Sequence, residues 1–69
     1  TMPVIQWQAD DVEGWLRDEM KFPSVATACK AEELSGNMLA FMERADWESV
    51  GATRLQAIKL VVAVRQLID

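Results

Sequence analysis

The chain has 69 residues, 51% of them apolar, and carries seven basic against eleven acidic side chains, a net charge of −4. That is length for one domain, small enough to bury only roughly 60% of the surface its unfolded chain exposes, so dense packing, a disulfide, a metal or a partner must stabilise it. A single cysteine, Cys29, and no histidine exclude an internal disulfide and in practice a structural zinc site, while the acidic balance argues against nonspecific nucleic-acid binding.

In chain order, Trp7 precedes Asp10, Asp11, Val12 and Glu13. Asp10 fits an N-cap with Glu13 three residues on, the capping-box pattern. Val12, Trp15, Leu16 and Met20 recur on one face of a helix reaching about residue 20. Gly14 weakens that helix by up to ~1 kcal/mol relative to Ala, and a closely packed neighbour would explain its presence. Phe22, Pro23 and Ser24 break the chain, and Pro23 suits a new helix start because its missing N–H is not needed there. Val25, Ala26, Ala28 and Cys29 give this second helix a small-residue apolar side, ending near residue 31. Cys29 reads as a small core residue, with a reactive thiol as the alternative.

Glu32, Glu33 and Leu34 link to a turn at Ser35, Gly36 and Asn37, with Ser35 the cap of a short third helix. Met38, Leu39, Phe41 and Met42 are its apolar residues, in two turns. A fourth short helix over 45–50 carries Trp47 and Val50, and Gly51 suits the left-handed position that ends many helices. Thr53 can cap a long final helix over 54–68. There Leu60, Val61, Val64, Leu67 and Ile68 share one side, Gln56, Lys59 and Gln66 the opposite one, and Leu55, Ile58 and Val62 form a second apolar ridge beside Arg54 and Arg65. No segment alternates as a strand would between turn signals. The expected fold is therefore all-α, a compact five-helix bundle with a long C-terminal helix.

No apolar run exceeds five residues, as at 60–64, against roughly 20 for a bilayer span, and the N-terminus lacks the basic and apolar regions of a signal peptide. With the lone thiol, this favours an intracellular setting, cytoplasmic rather than nuclear. Residues 1–69 read as a single domain with its core at about 7–68, cut from a longer protein, and Thr1 and Met2 as a remnant ahead of it. Charge is split along the chain. Residues 1–50 hold ten acids and four bases, and residues 51–69 hold Arg54, Lys59 and Arg65 against Asp69. Such polarity can attract another copy head to tail; two solvated helix faces are the alternative.

With these residues in this order, the chain resembles the sterile alpha motif (SAM) family over 7–67. The resemblance rests on Trp7, Asp11-Val12 and Trp15-Leu16 early, on Gly36 with Met38-Leu39 midway, then on Phe41, Trp47, Val50 and Gly51. It closes with Lys59, Leu60, Val61, Ala63, Val64 and Leu67 in the last helix. Two features depart from the family pattern. Ala52 follows Gly51 where an apolar residue is usual, and Leu55 and Ala57 stand where a Gly and an Arg are expected, in a loop about one residue shorter. The 42–45 connection is about one residue longer.

The resemblance implies a protein-interaction module, homotypic or heterotypic, with another SAM domain as partner and a homo-oligomer or head-to-tail polymer as one outcome. By carry-over, Glu32, Glu33, Glu43, Asp46 and Glu48 form an acidic mid-loop surface. Ala52, Thr53, Arg54, Leu55 and Lys59 form a basic end-helix surface, reinforced by the positive end of the last helix, with Leu55 as its apolar anchor. RNA-hairpin binding through the last helix is the alternative, disfavoured because Arg54, Lys59 and Arg65 lie on different sides. Membrane-surface binding suffers the same shortage of positive charge, and a monomeric scaffold domain without self-association is the remaining alternative. Catalysis lacks a His base, a phosphate-binding Gly loop and an activated nucleophile, and adjacent acids such as Asp10-Asp11 diverge on a helix. No enzyme activity and no cofactor are expected.

Overall fold

The structure is a computed structural model that describes residues 2–68. Thr1, part of the suggested remnant, and Asp69, counted in the terminal charge balance, lie outside the described residues. A 3₁₀ turn, Val4–Gln6, leads into five helices: α1 (Ala9–Gly14, continuing as a π-helical stretch, Trp15–Glu19), α2 (Pro23–Ala31), α3 (Gly36–Leu39), α4 (Arg44–Ser49) and α5 (Arg54–Ile68). No strand occurs among the described residues. The fold is all-helical and compact, 29 × 24 × 19 Å, with a long C-terminal helix.

Its core draws on every helix. Val12 and Leu16 come from α1 and its continuation, Val25, Ala26 and Cys29 from α2, Leu39 from α3, Trp47 from α4, and Ala57, Leu60 and Val64 from α5, with Leu34 and Ala52 added by the connections. Full burial of a Leu- or Val-sized side chain contributes about 1.5–3 kcal/mol, and eight of the twelve core residues are of that size or larger. Cys29 is the small core residue its setting suggested, unpaired and buried. Trp47 is wholly enclosed, and its indole N–H finds no acceptor among the described residues.

Helix ends follow from local chemistry. At α2, Pro23 takes the first position. Its end is a left-handed turn at Glu33 (φ 55°), where the Glu33 N–H donates to Lys30 O (3.0 Å) and the Leu34 N–H to Cys29 O (3.0 Å). α4 ends the same way, Gly51 supplying φ 100° while its N–H and that of Ala52 return to Glu48 O and Trp47 O. Thr53 caps α5 reciprocally with Gln56. The Gln56 N–H donates to Thr53 Oγ1 (3.1 Å) and the Thr53 N–H to Gln56 Oε1 (2.9 Å).

Four local expectations are corrected. The cap of α1 is Gln8, whose N–H donates to Asp11 Oδ2 (2.9 Å). The chain enters the helix two residues earlier than Asp10, which as a first-turn residue instead pairs with Lys30 of α2. Gly14 has no close neighbour. The nearest atom to an added Cβ would be Arg17 Nη2 at 3.9 Å. α3 is a single turn, with Ser35 in the cap position but its hydroxyl bonded to the Asn37 side chain, and Phe41 lies beyond it, 81% exposed. On α5 the core stripe runs Ala57, Leu60, Val64, while Leu67 and Ile68 are exposed on the last turn. Ala57, read from the sequence as standing in place of a surface Arg, is thus an interior position.

Gly36 has a role that a turn residue would not need. The N-terminal segment crosses directly over it, and the Gly36 N–H donates to Trp7 O (2.9 Å). A Cβ there would overlap the Val4 carbonyl oxygen and lie 2.8 Å from Trp7 Cβ. Trp7 in turn stacks obliquely on Trp15, ring centres 6.1 Å apart and planes at 57°, and its Nε1–H donates to Met2 O (3.2 Å).

Candidate protein-interaction surfaces

At the start of α5 the fold presents Thr53, Arg54, Leu55 and Lys59 to solvent. Leu55 is 70% exposed, although a leucine on a core-facing position would be enclosed. The reason is helical phase. Ala57, Leu60 and Val64 define the inward stripe, and Leu55 falls two positions before Ala57, about 200° away around the helix. Ala52, included in this surface by carry-over, is buried at 7% exposure beneath the end of α4 and offers no side chain to a partner. Of the N–H groups that a helix start leaves unpaired, those of Thr53 and Gln56 are consumed by the reciprocal cap. Arg54 and Leu55 carry the ones that remain for an incoming carboxylate. The end-helix surface therefore consists of one apolar side chain, two cations and two backbone donors.

The five acids are all exposed but are used differently. Glu32, at the end of α2, and Asp46, on α4, line the same shallow groove of about 200 Å³, whose walls include Leu34, Met38, Met42 and Val50. Glu33 occupies the left-handed turn directly after Glu32. Glu43 caps α4, its N–H donating to Asp46 Oδ2 (2.8 Å), so Asp46 stabilises the helix as well as facing the groove. Glu48 pairs with Arg44 one turn away (3.1 Å). Thus the fold brings Glu32 and Asp46 together across an apolar floor, while Glu43 and Glu48 are tied into α4.

Sequence reasoning missed a second, larger groove of about 440 Å³ between α5 and the α3–α4 connection. One wall carries Ile58, Val62 and Arg65, the other Ala40, Met42 and Glu43. The Ile58–Val62 ridge was readable from helical spacing. The opposite wall was not, because it forms only when α3 stops after one turn.

Burial pushes the Cys29 thiol from its ordinary 9.0 up to about 11, with Glu32 adding to the shift. It is a protonated thiol at neutral pH, unlike an activated nucleophile. No cluster of three or more His, Cys, Asp or Glu suited to a metal occurs among the described residues. No helix among them is long and apolar enough to cross a membrane. No family model matches the chain, and no curated protein matches it significantly.

Proposed function

We propose that this chain is a protein-interaction module of the sterile alpha motif type, without enzymatic activity, that binds another such domain by its basic end-helix surface against an acidic mid-loop surface. The observation that carries this reading is Leu55, 70% exposed at the exposed start of a helix and flanked by Arg54. An exposed leucine framed by cations fits a partner groove with an apolar floor and acidic rim. The chain's own groove between Glu32 and Asp46 has that character, which makes a second copy an eligible partner. Repeated use of both surfaces gives an open head-to-tail chain, because the two patches differ.

Sedimentation across concentration tests it on wild type, Arg54→Glu and Glu32→Lys. Glu32→Lys is a cleaner probe than Asp46→Lys, since Asp46 also accepts the Glu43 N–H at the start of α4. Mass that grows beyond a dimer with concentration in wild type, the growth past the dimer being lost in either single variant, is the expected result. Mixing the two variants should restore one end-helix contact between them, as each keeps one intact surface. Growth indifferent to both changes would defeat the proposed pairing.

A further inference from the structure

We propose that the groove between α5 and the α3–α4 connection is a second association surface, closed by another copy of this chain across a two-fold axis lying along the groove. It is separate from the acidic and basic surfaces above and does not require them. Three observations select this occupant. The first is size. About 440 Å³ between Ile58 and Val62 on one wall and Ala40 and Met42 on the other is room for a bulky apolar side chain.

The second is that the chain itself supplies such a ring. Phe41 is 81% exposed, between Ala40 and Met42, which both line the groove, while its own ring lies outside it. A large apolar side chain at a groove's edge, presented to water, is suited to the matching groove of a neighbour. The third is charge. Arg65 stands on the α5 wall and Glu43 on the facing one, and a two-fold axis along the groove lays each wall on the partner's opposite wall. Arg65 then meets the partner copy's Glu43, and the pairing occurs twice. Arg44, on the same wall as Glu43, is held by Glu48 at 3.1 Å and so opposes Arg65 less. Ile58 and Val62 supply the apolar centre.

An isologous contact of this kind stops at two copies, whereas the end-helix contact propagates. The two are separated by measuring sedimentation up to about 1 mM in the Arg54→Glu background, which removes the head-to-tail contact. A mass approaching twice 7.8 kDa in Arg54→Glu, reduced to the monomer by adding either Phe41→Ser or Val62→Arg, supports the proposal. Both added changes are at exposed positions, and an unchanged circular dichroism spectrum verifies the fold. A monomer throughout in Arg54→Glu, or a dimer that ignores both added changes, overturns it. Growth that persists in Phe41→Ser but vanishes in Arg54→Glu overturns it too, while leaving the head-to-tail reading intact.

Discussion

Gly14 and Gly36 both sit in helices, yet they should respond oppositely to a methyl group. Gly14 has helical backbone angles (φ −60°, ψ −42°) and open space around it, so Gly14→Ala should stabilise the protein by up to about 1 kcal/mol, chiefly through helix propensity. At Gly36 the new Cβ meets backbone atoms, which cannot rotate away, and Gly36→Ala should cost about 3 kcal/mol, at the severe end of overpacking. Urea denaturation midpoints measured on both variants check the pair. Cys29 sets a pH dependence of its own. Its thiol titrates at about 11 in the fold against an ordinary 9.0, so the folded state holds the proton more tightly. The associated stability is complete below pH 9 and declines as pH rises through 11. The midpoint of Cys29→Ala, measured from pH 8 to 11, should lack the part of the decline that wild type shows.

Among the elements, the Thr53 cap of α5 was legible in the sequence, while its reciprocal partner Gln56 was read only as a residue of the polar face. Thr53→Ala leaves the Gln56 N–H without its acceptor and should cost about 1 kcal/mol, measurable as a lower denaturation midpoint with the helix retained. Gly51 was equally legible, since few other residues accept φ 100°. The start of α1 was not. Asp10 and Glu13 match a capping pattern as well as Gln8 and Asp11 do, and only the tertiary pairing of Asp10 with Lys30 separates them. Helical spacing found the inward face of α5 at Leu60 and Val64 but overextended it to Leu67 and Ile68, because periodicity does not say where the rest of the molecule ends. Alanine is a weak hydrophobic signal, so Ala57, at the N-terminal end of that face, was not counted among its members.

For the whole molecule, the five-helix architecture was readable because turn residues and apolar periodicity agree along the chain, which is what a well-specified fold requires. The candidate surfaces were readable only in part. Charge counting located the acidic and basic ends, but it could not show that Ala52 is enclosed, that Asp46 accepts the Glu43 N–H at the start of α4, or that Glu32 and Asp46 share one groove. Those facts depend on which side chains a fold turns outward, and in 69 residues most side chains lie close to that boundary. The distribution of exposed apolar side chains, Leu55 at one place and Phe41 at another, is compatible with two contacts made at once, one propagating and one closing. Engaged together, they would cross-link chains in pairs.

The crossing of the N-terminal segment over Gly36 also bears on how the protein folds. Its hydrogen bond joins residue 7 to residue 36, while much of the remaining packing, α1 on α2 and α4 on α5, is between neighbours in sequence. Contacts between neighbours close small loops and form early. The Trp7–Gly36 link must bring together the ends of a much longer loop, at a greater entropic cost. The segment should therefore dock after the folding barrier has been crossed, and its loss should appear in the rate of unfolding rather than the rate of folding. In a chevron plot, Gly36→Ala would raise the unfolding limb and leave the refolding limb nearly where it was. The N-terminal strap would then be a latch on an already assembled bundle.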